Sequence, residues 1–130
     1  MDMDSIMWME AETFEQLVVE ALDGLPEKIL GWLENIEVVV DDWPTGRQLA
    51  SVGIGHNSTL LGLYEGVPLT ARGANYGLVL PDKVTIFRGP ILSFCVTPGE
   101  ARDMVRHTVV HELAHHFGID DDRLRELGAY

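Results

Sequence analysis

The segment His111-Glu-Leu-Ala-His115-His116-Phe-Gly118-Ile-Asp120-Asp121 holds the residues of this chain whose types and spacing could do chemistry. On a helix, residues four apart share a face with Cβ atoms about 5 to 6 Å apart, so His111 and His115 can present two imidazoles to one metal ion. Glu112, one step round from His111, can take a proton from a water at that ion. Gly118 permits a positive φ at the end of the helix, and the turn can bring Asp121 back as a third ligand. Two neutral imidazoles and a carboxylate leave tetrahedral Zn²⁺ one open position, the arrangement of catalytic rather than structural zinc sites. A bare H-E-x-x-H would arise by chance in roughly one shuffled chain in sixty. Requiring Gly118 and Asp121 at their offsets lowers the expectation in a shuffled chain to on the order of one in eight thousand.

The site needs a helix, and the flanking residues predict one. Thr97-Pro98-Gly99-Glu100 reads as a capping box with Pro98 at the first helical position, so a helix is expected from about residue 98 to Gly118. Ala101, Met104, Val105, Thr108, Val109, Leu113, Ala114 and Phe117 give it a broad apolar surface for packing under a sheet. Upstream, Phe14, Leu17, Val18, Ala21, Leu22 and Leu25 mark a first helix over residues 12–24, with Thr13 or Ser5 as a cap and Gly24 as its stop. Pro26 to Leu33 reads as a short second helix. Ile36 to Asp41 is the best strand, and Leu60 to Tyr64 and Lys83 to Arg88 are two more. Glu65-Gly66 is expected to turn the chain back through Val67 to Leu69. Residues 43–59 and 70–82 read as loops, Pro90 to Cys95 as a helical turn, and Asp122 to Leu127 as a last helix capped by Asp120 or Asp121.

Composition bounds the function. At 130 residues the chain is expected to form one domain, 1–130. Nine basic against 21 acidic side chains give a formal charge of −12, which repels phosphate backbones and anionic membranes, so neither nucleic acid nor membrane is an expected partner. A single cysteine, Cys95, excludes an intrachain disulfide and a Cys-type zinc site, and reads as a buried small apolar residue. The first residues lack the basic start and apolar run of a secretory signal, and no stretch approaches 18 apolar residues, so a cytoplasmic protein is expected.

His111 to Asp121 is similar to the extended H-E-x-x-H-x-x-G-x-x-D pattern of metzincin-like zincins. More narrowly, Leu60-Leu-Gly-Leu-Tyr-Glu-Gly-Val-Pro-Leu-Thr70, Val84-Thr-Ile-Phe-Arg88 and Thr108 to Gly118 together resemble a small bacterial family of minimal zincin-like predicted metallopeptidases, over most of residues 30–128. The resemblance implies an α+β fold, a small mixed sheet lying over the active-site helix with further helices around it. It also implies one Zn²⁺ held by His111, His115 and Asp121, Glu112 as the catalytic acid/base, and a peptide or protein substrate. An extended peptide could lie antiparallel to an exposed sheet edge supplied by Leu60 to Leu69 or its neighbour.

Other readings of these residues stay open. His107 is four residues before His111 and makes a second metal-pair candidate. Asp121 could cap the last helix instead of binding metal, and His116 reads as a packing residue or one that orients a ligand from behind. No oxyanion donor stands out among His56, His107, Tyr64, Tyr76 and the arginines. Larger metzincins carry a methionine turn beyond the third ligand, whereas the nine residues after Asp121 include no Met. A non-catalytic zinc-binding or interaction domain is therefore one alternative function. A metal-dependent endoribonuclease is another, because one rRNA-processing family uses a similar helix-and-turn site; its motif has Gly after the first His and His as the third ligand.

Overall fold

The computed structural model describes residues 7–53, 60–66 and 82–128, with the backbone alone at Asp121. The first helix, α1 (Ala11–Asp23), turns Phe14, Leu17, Val18 and Ala21 into the core, the i, i+3, i+4, i+7 stripe of an amphipathic helix. Its N-cap is Glu10 with no side-chain cap, so Thr13 lies inside the helix instead of starting it. Gly24 ends it as expected. Pro26 is the N-cap of α2 (Glu27–Trp32), where its fixed φ of −57° costs nothing and no amide is missed. The Val-rich run becomes β1 (Ile36–Asp41).

The stretch after β1 corrects the expectation of a continuous loop. Thr45 and Gln48 form a reciprocal capping box and start α3 (Gly46–Ser51), each side chain bonding the other's backbone amide at 2.9 to 3.0 Å. Among the described residues, strand β2 (Gly62–Glu65) and strand β3 (Asp82–Phe87) join β1 in a three-stranded sheet in the order β1-β3-β2. β3 runs parallel to β1 and antiparallel to β2, pairing Val38 with Val84 and Tyr64 with Val84. Being central, β3 is buried on both faces from Val84 to Phe87. The hairpin-like return after Gly66 falls outside the described residues.

Arg88 opens α4 (Arg88–Ser93) rather than extending β3. The corner is tied twice, by the Gly89 amide to the Asp42 carbonyl at 2.9 Å and by the Arg88 guanidinium to the Asp42 carboxylate at 2.9 Å. The Trp43 indole packs so closely on Gly89 that a Cβ there would meet ring atoms at 2.4 Å, which explains glycine at a position with an ordinary φ.

Helix α5 (Pro98–Phe117) is the longest element. Thr97 Oγ1 accepts the Glu100 amide at 3.1 Å, but Glu100 answers through the Thr97 hydroxyl at 3.3 Å, so the expected capping box is only half formed. Gly118 takes φ 69°, the left-handed stop the sequence predicts. Ala101, Val105, Val109, Val110, Leu113 and Ala114 are buried against α1, β2 and β3. Phe117 departs from the expected core face: it is 46% exposed, with its ring 5.6 Å from that of Trp32. The last helix, α6 (Asp121–Glu126), is capped by Asp120, whose carboxylate accepts the Arg123 amide at 2.9 Å. Among the described residues, no helix is long and apolar enough to cross a membrane. The architecture is α+β, six helices around a small mixed sheet among these residues.

Cys95 is buried as expected, with its thiol 3.8 Å from the Met104 sulfur. Burial, and then the Glu100 carboxylate, push the thiol above its ordinary pKa by disfavouring the thiolate. Folding holds this proton more tightly than the unfolded chain does. The group's contribution is therefore intact below the unfolded thiol pKa and is lost as pH rises through the higher folded value. Urea midpoints measured from neutral to alkaline pH are expected to fall more steeply for the native chain than for Cys95→Ala. Parallel curves would mean that Cys95 does not couple folding to pH.

Candidate metal and catalytic site

Helix α5 carries His111, Glu112 and His115 to the side facing β2. The helix approaches the strand closely because Gly62 has no side chain; a Cβ there would meet the Thr108 methyl at 2.7 Å and the Thr85 carbonyl at 3.1 Å. Two adjoining hollows open along this seam. One, of about 400 Å³, lies between Leu60, Gly62, Leu63 and Tyr64 on one side and Glu112, His115 and His116 on the other, with Val52 at its rim. The second, of about 320 Å³, is lined by His107, Thr108 and His111, and shares Leu60, Gly62 and Glu112 with the first. Glu112 thus stands between the two histidines and faces both hollows.

The Glu112 carboxylate is half-buried, and its Oε1 accepts the backbone amide of Tyr64 at 3.0 Å. Burial raises its pKa above the ordinary carboxylate range, while the Tyr64 amide and the His115 imidazole draw it part of the way back.

The two histidines differ in exposure. His111 is half-buried with its Nε2 shielded from solvent, and its ring packs on His107 with centroids 4.2 Å apart. His115 is exposed in the cleft. Past Gly118, Asp121 is the first residue of α6; since Asp120 supplies the cap, the reading of Asp121 as N-cap is corrected. The Asp121 side chain itself lies outside the described residues, as do His56 and Tyr76. Among the described residues, no three His, Cys, Asp or Glu side chains converge on one point. The donors present still suit zinc chemically: two imidazoles four residues apart on one helix, in a groove with a carboxylate between them.

Residues beyond the motif also meet here. The His116 ring stacks on Tyr64, centroids 4.0 Å apart and planes 15° from parallel, which fits its reading as a packing residue. The Tyr64 hydroxyl donates to Asp82 at 2.5 Å, and His116 Nε2 lies 3.9 Å from the same carboxylate oxygen. The sequence named Tyr64 only among many possible oxyanion donors. Its bond to Glu112 comes from the main chain, which leaves no mark in residue type, and Asp82 gave no signal of its own.

A small mixed sheet over a helix bearing H-E-x-x-H, with its glutamate facing a groove beside the sheet, defines a zincin-like protein. The sequence profile of the zincin-like metallopeptidases matches residues 33–129, well over half of the chain, and the chain belongs to that family. The family implies zinc binding. No curated protein matches the chain at a significant level of similarity.

Proposed function

We propose that the protein is a zinc-dependent peptidase in which His111, His115 and Asp121 hold one Zn²⁺ and Glu112 is the general base. The observation that carries this reading is the setting of Glu112: half-buried, fixed by a main-chain donor, and facing hollows lined by His111 and His115. Bound there, zinc would supply Lewis acidity, polarising a peptide carbonyl and lowering the pKa of water to about 7. Glu112 takes the proton of the attacking water and later delivers it to the leaving amine.

The sheet edge supports a peptide substrate. β2 lies at the edge of the sheet among the described residues. The Leu61 carbonyl accepts the Phe87 amide, so by alternation Leu61, Leu63 and Glu65 face β3, while Gly62 and Tyr64 turn their main-chain groups outward. The Tyr64 amide is committed to Glu112. An extended peptide adding to this edge would pair at Gly62 and reach Glu112 where the pairing ends, which would set the bond to be cut beside the base.

The test begins with the metal. Purified protein is expected to contain one zinc per chain, and Asp121→Ala to weaken zinc binding by more than the roughly 10- to 100-fold that loss of an outer-shell partner costs. Peptide-library cleavage by the zinc-loaded protein then checks the reaction. Unchanged affinity in Asp121→Ala would remove Asp121 from the ligand set, and zinc-loaded protein without turnover would favour the non-catalytic domain.

A further inference from the structure

Tyr64 touches α5 at two successive turns. Its amide donates to Glu112, and its ring stacks on His116, four residues along the same helix face. The phenol end is also held. Tyr64 pairs with Val84 across the sheet, so Asp82, two residues back on the same face of β3, is its diagonal neighbour and within reach of the hydroxyl. His116 Nε2 approaches that same Asp82 oxygen. The ring is therefore fixed between strand β3 and helix α5, and the main chain of β2 is fixed with it.

We propose that Tyr64, clamped by Asp82 and His116, is a positioning residue that holds the β2 amide on Oε1 of Glu112 and so leaves Oε2 as the oxygen that handles the proton. The consequence for the reaction rests on Glu112 being the base, as proposed above; the clamp itself does not. Neither Tyr64 nor Asp82 belongs to the proposed ligand set, so loosening the clamp changes the orientation of the base while sparing the metal. A small misplacement of a catalytic group lowers kcat well before it alters binding.

The experiment compares the native chain with Tyr64→Phe, Asp82→Ala, His116→Ala and His116→Phe. By hydrogen exchange followed residue by residue, the amide at position 64 is expected to exchange about tenfold faster in the first three variants, with the Val84 and Ile86 amides of β3 unchanged. His116→Phe, which keeps a ring to stack on, is expected to restore protection. In zinc-loaded protein the same three variants are expected to lose about tenfold in kcat at constant KM and zinc content. Unaltered exchange at position 64 in both Tyr64→Phe and Asp82→Ala would overturn the clamp, as would a loss spread equally over all β3 amides. If the native chain shows no turnover, the peptidase reading fails, and the exchange data still decide the clamp.

Discussion

Glu112→Gln is expected to keep its zinc and lose about 10² to 10⁴ in peptide hydrolysis, the range for removal of a general acid–base group. That loss corresponds to about 3 to 5 kcal/mol of transition-state stabilisation. The substitution is nearly isosteric. Its amide oxygen can still accept the Tyr64 amide now bound by Oε1, so the groove between β2 and α5 should keep its shape. What disappears is the ability to take a proton. KM should change little, since strand pairing at Gly62 and contacts with Leu60 and Leu63 do not involve the carboxylate. Steady-state kinetics on a peptide cleaved by the native chain, with zinc measured on the same samples, would check this. Equal kcat in the two proteins would exclude Glu112 as the base.

Position 112 was legible because local rules and chemistry coincide there. Thr97, Pro98 and Gly118 delimit α5 through contacts within a few residues, and a helix of known phase places His111, Glu112 and His115 relative to one another. β1 was legible for a similar reason, a run of β-branched residues between turn signals. α3 was missed because Pro44, Gly46 and Gly53 outweighed the Thr45-Gln48 box, although that box is itself a sequence signal. The exposure of Phe117 reflects where α5 ends relative to its neighbours, which periodicity along one helix does not encode. The attachment of Glu112 to Tyr64 spans 48 residues and uses a backbone donor, so it needed the sheet to be placed over the helix first. Asp121 shows the reverse case, in which the offset after Gly118 points to a ligand and the backbone adds only that Asp120 already serves as the cap.

Leu113→Ala is expected to lower the stability of the metal-free protein by about 2 to 5 kcal/mol, and zinc is expected to return a comparable amount. Leu113 is fully buried in the main core, so truncation removes its packing and leaves a cavity beneath the site helix. Against a total of about 5 to 15 kcal/mol for a domain, such a loss is severe, and it should lower the melting temperature by roughly 8 to 20 °C. A ligand that binds only the folded chain adds about 2.7 kcal/mol at one hundred times its dissociation constant. Leu113 points to the core while His111 and His115 line the groove, so the zinc-induced shift should match that of the native chain to within about 0.5 kcal/mol. His115 is exposed, and its own truncation should cost little in packing. Adding His115→Ala to Leu113→Ala should therefore abolish the zinc-induced rise and leave the metal-free melting temperature nearly unchanged. Calorimetry with and without a chelator separates these terms. A zinc-induced rise that survives in the double variant would place the stabilising metal away from the α5 histidines and count against the proposed centre.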